Sequence, residues 1–113
     1  MIKGKGINVS SCKEEKFAYH PTKEALKFGI AGGVAAAVKK YLGKDAEKVK
    51  EEVISGLDKK AIYKLKAYTK GHCKANLIEV MACSGGCIGG GSTFANADEA
   101  SKKIDIYAKK AGK

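Results

Sequence analysis

The chain has 113 residues, of which 44% are apolar and four are cysteines. That suits one compact domain with a modest core, only marginally stable without a partner or a metal. The net charge is +10 with 22 basic side chains, but every one of them is Lys, and without Arg the bidentate contacts that specific nucleic-acid readers favour are missing, so no nucleic-acid partner is expected. No apolar run nears the roughly 20 residues that span a bilayer and Met1 is not followed by a secretory leader's apolar stretch, which argues against a membrane role and for a cytoplasmic protein whose cysteines are thiols or metal ligands rather than disulfides.

Taken in chain order, residues 1–6 are polar and Gly-rich and read as a disordered N-terminal tail, leaving 7–113 as the domain. Ile7-Asn8-Val9 alternates like a short strand. The stretch from Cys12 to His20 is charged and irregular, and Pro21-Thr22 can open a helical turn, with Thr22 as its cap or Pro21 near its first position. The segment 28–33 is too Gly-rich for a helix interior. From Val34 a helix follows, with Val34, Ala37, Val38 and Tyr41 on one face, Lys39 and Lys40 on the other, and Gly43 as its stop. A Gly32-Gly33 pair just ahead of a helix lets a backbone or a ligand approach the helix's positive end.

Residues 45–50 read as helical and 51–54 as a strand. Asp58 caps a helix from Lys59 to about Thr69 that buries Ala61, Ile62, Leu65 and Tyr68, and Gly71 ends it. Residues 77–81 read as a mostly buried strand. It runs into a loop almost bare of side chains, Cys83-Ser84-Gly85-Gly86-Cys87-Ile88-Gly89-Gly90-Gly91. Asn96 with Glu99 makes a near capping box. It opens a closing helix whose stripe is Ala97, Ala100, Ile104, Tyr107, Ala108 and Ala111. The expected fold is a small α/β domain, with about three main helices packed on a sheet of two to four strands. The lysines fall mostly on polar helix faces, which makes them a solvated surface or an attraction for an acidic protein such as a ferredoxin.

The chemistry concentrates at Cys83 and Cys87. Two thiolates four positions apart on a loop can grip one metal centre, and the glycines around them, Gly85 and Gly86 foremost, let backbone N–H groups point at sulfur, which stabilises an anionic cluster. Thioredoxin-type pairs have two intervening residues rather than three. Structural zinc sites show two tight Cys pairs, and Cys12 and Cys73 are too isolated to supply the second. From the spacing alone, an iron–sulfur or other metal site, a redox thiol pair, and a plain Gly-rich turn with buried thiols all stay open. His20 and His72 fall in loops and are not expected ligands.

The run Glu79-Val80-Met81-Ala82-Cys83-Ser84-Gly85-Gly86-Cys87-Ile88-Gly89-Gly90-Gly91 resembles the last of the three H-cluster signatures of iron-only hydrogenases. Residues 28–38 are similar to that family's Phe-x-x-Ser/Thr-Gly-Gly-Val segment. Residues 56–60 and 70–77 look like connecting segments of its shorter, ferredoxin-like or sensory branches, and the likeness runs over about 7–111. The resemblance implies that Cys83 ligates a 4Fe–4S cube, that Cys87 ligates the cube and bridges to a di-iron subsite, that Met81 packs against the di-iron ligands, and that Gly32 and Gly33 wall the pocket.

The departures bear equally on function. The family's Thr-Ser-Cys-Cys-Pro and Met-Pro-Cys-x-x-Lys signatures are absent, and with them the other cube ligands, the proton-relaying cysteine and the cyanide-holding lysine. Ser84 stands where Pro or Glu is common, and Gly91-Ser92-Thr93 where Gly-Gln-Pro is usual. A cube needs about four protein ligands, and nothing in the spacing of Cys12 and Cys73 makes them the missing pair. The chain is therefore read as a partial hydrogenase-like subunit or fragment that works with a complementary polypeptide, inactive alone and with no catalytic acid or base assignable. The alternatives are an iron–sulfur electron carrier or sensor with its cluster between two copies, a Cys83/Cys87 thiol redox protein, and a basic binding module with incidental cysteines.

Overall fold

The computed structural model describes residues 1–15, 18–19 and 21–111. His20 and the side chain of Ala111, placed above in a loop and on the last helix's stripe, lie outside the described residues.

The described residues form a small α/β domain of three helices and a two-stranded parallel sheet. Helix α1 spans Gly33–Leu42, strand β1 Glu51–Ser55, helix α2 Lys59–Ala67, strand β2 Leu77–Met81 and helix α3 Ala97–Ala111. Parallel strands need a crossover connection, and α2 supplies it. The strands pair in a register running from Glu51 opposite Leu77 to Ser55 opposite Met81. Alternation then puts Val53, Ser55, Glu79 and Met81 on one face and Glu52, Ile54, Ile78 and Val80 on the other. The first face meets α1. The second carries Glu52, whose carboxylate is reached by Lys64 of α2 and by the Tyr68 hydroxyl just beyond it.

Local chemistry accounts for the helix ends. Asp58 accepts the Ala61 N–H at 2.7 Å, the expected cap of α2, and Gly71 turns the chain away with a φ of 87°. Asn96 accepts from Asp98 at 2.9 Å and caps α3. The Thr22 hydroxyl accepts from the Ala25 N–H at 3.2 Å, where the single turn Ala25–Lys27 begins. Lys27 then pairs with Asp105, anchoring α3 to that turn; the bond holds the Asp105 carboxyl below its ordinary value.

Some local expectations are corrected. Ile7-Asn8-Val9 is no strand. Val9–Ser11 is a 3-10 turn, because the Asn8 side chain accepts the Ser10 N–H at 3.1 Å and, among the described residues, no neighbouring strand competes for these groups. Residues Gly43–Lys48 also form a 3-10 turn rather than a helix over 45–50. The largest correction concerns β2. Ile78 and Val80 keep 36% and 41% exposure, and the buried residue is the strand's one charge, Glu79. With only two strands, the helices cover the sheet incompletely. Tyr41, Ile62 and Tyr107 are likewise exposed rather than core.

The core is correspondingly slight. The buried apolar residues are Ala35, Ile54, Ala61 and Ala108, and among the described residues no large side chain is completely enclosed. The radius of gyration is 17.8 Å, against about 13 Å for a compact chain of this size. No helix among the described residues is long and apolar enough to cross a membrane.

Candidate metal centre

The cysteine loop begins where β2 ends. Strand β1 turns away at Gly56, whose N–H donates to the Met81 carbonyl at 2.9 Å, and Leu57 donates to that of Ala82 at 3.0 Å. These bonds continue the pairing past both strands, so the loop leaves the sheet in a fixed direction. The Ser55 hydroxyl then accepts the Gly85 N–H at 2.8 Å.

Gly85 and Gly86 take φ values of 83° and 97°, a region that side chains with a Cβ rarely enter. Gly86 also has no room for one: a Cβ there would lie 2.5 Å from the Gly29 carbonyl oxygen. The loop is seated on the segment ahead of α1 by two backbone bonds, from Ala31 N–H to the Gly85 carbonyl at 3.1 Å and from Ile88 N–H to the Gly29 carbonyl at 3.2 Å. From the other side Ala97, the first residue of α3, closes on it; a Cβ on Gly85 would be 3.0 Å from the Ala97 Cβ.

Within this frame Cys83 is half-buried, Cys87 is exposed, and both are free thiols. Beside Cys83 the backbone is bare: a Cβ on Gly90 would stand 3.7 Å from its sulfur. The N–H groups of Gly85, Gly86, Ile88, Gly89 and Gly90 donate to oxygens, namely the Ser55 hydroxyl and the carbonyls of Cys83, Gly29, Gly86 and Cys87. They fix the turn that presents the two sulfurs. Met81, half-buried, ends β2 on the α1 face.

The Gly32-Gly33 pair does admit a close approach, and it comes from inside the chain. Gly32 has a φ of 89°, and Gly33 is buried so tightly that a Cβ would sit 1.9 Å from the Lys27 carbonyl oxygen. The group at the positive end of α1 is the Glu79 carboxylate, which accepts Gly32 N–H at 2.8 Å and Ala35 N–H at 2.7 Å. Sequence reasoning passed over this residue. The available signal was a lone acid at the centre of an apolar strand, four residues ahead of the first thiol.

Cys12 is exposed, with its thiol toward the Asn8 carbonyl, and Cys73 donates to the Ala75 carbonyl at 3.3 Å near the start of β2. His72 lies exposed in the turn after α2. Among the described residues no three His, Cys, Asp or Glu side chains converge as a metal-binding group. The site therefore offers two sulfurs.

A family model described as the iron-only hydrogenase large subunit, C-terminal domain, matches residues 1–91. The chain belongs to that family. The matched stretch takes in residues 1–6, includes both thiols of the loop, and ends at Gly91, ahead of α3. No curated protein matches the chain. Membership in the iron-only hydrogenase family brings oxidoreductase chemistry and iron–sulfur cofactors in general. The residues present fit such a group in part: the donors are the soft sulfurs that iron–sulfur clusters take, and Gly90 brings no side chain against the Cys83 sulfur. A four-iron cube takes about four such ligands, so the donor set suits half of a cube rather than a whole one.

Proposed function

We propose that this chain is one half of a hydrogenase-type iron–sulfur centre. Cys83 and Cys87 supply two thiolate ligands to a 4Fe–4S cluster of the H-cluster type, and a complementary hydrogenase-like polypeptide supplies the rest. A second copy of the chain would fill the same role in a symmetric dimer. Met81 would line the cluster from the strand side and Gly85 and Gly86 allow the loop its turn, while Gly32 and Gly33, already filled by the Lys27 carbonyl and the Glu79 carboxylate, would wall it only from behind the loop's seat. A cytoplasmic electron carrier such as a ferredoxin fits the lysine-rich surface. When bound, the cluster would supply one-electron redox chemistry. This chain's part is to hold two ligands in register, and none of its side chains is assigned as acid or base. Hydrogen chemistry is expected of the assembled pair alone.

The carrying observation is a pair of thiols on a seated glycine loop inside the stretch that the family model matches, with no third metal-binding side chain gathered beside them among the described residues. The slight core and exposed strand residues support a partner. The test is iron and sulfide analysis after strictly anaerobic reconstitution, with the chain alone and mixed with a polypeptide carrying the missing cysteine signatures. We expect little iron on the chain alone and about four per complex, lost in both Cys83→Ala and Cys87→Ala. Iron-free material in every pairing, with a reducible Cys83–Cys87 bond, would instead make the loop a thiol redox pair.

A further inference from the structure

The Glu79 carboxylate is the charged group buried deepest among the described residues, at 8% exposure. One oxygen takes the N–H of Gly32 and the other that of Ala35. A carboxylate in this place is favoured twice, because charge-assisted bonds are the stronger kind and the N-terminus of a helix carries partial positive charge. The consequence reaches the cysteines. Gly32 directly follows Ala31, and the segment 29–31 is the seat on which Gly85, Gly86 and Ile88 rest. Strand β2 thus leads into the loop at its C-terminal end and, through Glu79 at its centre, clamps the loop's seat.

We propose that Glu79 is the positioning residue of the cysteine loop. Its carboxylate holds the N-terminus of α1 and the 29–31 segment in the one place where the loop can dock, and so sets where the Cys83 and Cys87 sulfurs stand. There is little slack in this arrangement, since Gly86 already lacks room for a Cβ against Gly29. An amide at position 79 keeps the shape, but its NH₂ can accept nothing, so one of the two helix N–H groups loses its partner. The seat then shifts and Cys83 is uncovered. Cys73, hydrogen-bonded to Ala75 just ahead of the far end of the same strand, is an internal control.

The inference rests on the proposed iron-binding role of the loop, but its test needs no iron. The reduced full chain and Glu79→Gln are pulsed with iodoacetamide, and each cysteine is read by peptide mass spectrometry. Labelling of Cys83 is expected to accelerate about tenfold in the variant, as loss of one charge-assisted hydrogen bond implies, with Cys73 unchanged and Cys87, exposed from the start, little affected. Unchanged Cys83, or equal acceleration at Cys73 and Cys83, would overturn the proposal, because a general structural prop loosens both ends of the strand. Amide exchange of the unaltered chain gives a second measurement should the variant not fold. The N–H groups of Gly32 and Ala35, held by Glu79, should open with the same free energy as those of Ala31 and Ile88, held in the seat; separate opening would overturn the clamp. Selective uncovering of Cys83 in a chain that never takes up iron would sink the cluster assignment and leave the positioning role standing.

Discussion

Two carboxylates on opposite faces of the same small sheet do different work. Glu79 points toward α1, is buried, and binds two backbone N–H groups. Glu52, beside the register partner of Glu79 on the neighbouring strand, points toward α2 and binds two side chains, Lys64 and Tyr68. The partners of Glu79 cannot move away without deforming a helix end, whereas those of Glu52 end flexible side chains in contact with water. Neutralising either residue removes one negative charge. Only at Glu79 does the change reach the cysteine loop, so the two faces separate structural precision from surface attraction.

The largest effect that can break this comparison is expected next to the Glu79 clamp. In Gly33→Ala, the new Cβ would lie 1.9 Å from the Lys27 carbonyl oxygen and 2.7 Å from its carbon. Backbone would have to move on both sides, at a cost of about 3 kcal/mol. In so marginal a domain this should shift the urea midpoint far down or abolish the cooperative transition seen by circular dichroism. A neutral result would mean that the α1 face is not closely packed. Glu79→Ala should come next, with about 2 kcal/mol lost from the same transition, because two helix N–H groups lose their buried acceptor. Ser55→Ala, on the same face, removes only the hydroxyl that accepts from Gly85 and should cost about 1 kcal/mol.

Much of this was legible beforehand wherever a residue acts on its own neighbourhood. Asp58 and Asn96 cap the helices that follow them, Gly71 turns the chain after α2, and the two thiols mark their loop with no help from the rest of the molecule. What could not be read depends on who arrives from elsewhere in the chain. Ile7-Asn8-Val9 alternates, but alternation cannot supply a neighbouring strand, and the Asn8 side chain took the local N–H instead. Tyr41 lies on the apolar side of α1 by periodicity and is 92% exposed, at the edge of a shallow groove with Ala25 and Phe28 rather than against the sheet. Glu79 looked like one more residue of an apolar strand until the N-terminus of α1, more than forty positions earlier in the chain, proved to be its partner. The thiol loop was visible in the sequence, and its seating was not.

The smallest effect lies at Glu52, and it sharpens the contrast through pH. The bond from Lys64, then that from Tyr68, holds the Glu52 carboxyl below its ordinary value of 4.5. A carboxyl depressed in the folded chain contributes stability above the unfolded value, and that contribution disappears as pH falls through the folded value. The Lys64 ammonium is raised by the same bond to Glu52, so its contribution is complete below its ordinary value and is lost at more alkaline pH. The pair therefore acts across the neutral range and fails at both ends. Because these groups are in water, the difference in melting temperature between the unaltered chain and Glu52→Gln should be slight at pH 7, shrink further with added salt, and vanish in acid. Labelling of Cys83 by iodoacetamide should not respond to this variant at any pH where both proteins are folded. If Glu52→Gln instead destabilises as much as Glu79→Ala, or uncovers Cys83, then the sheet transmits charge changes from either face alike, and the distinction between the two carboxylates fails.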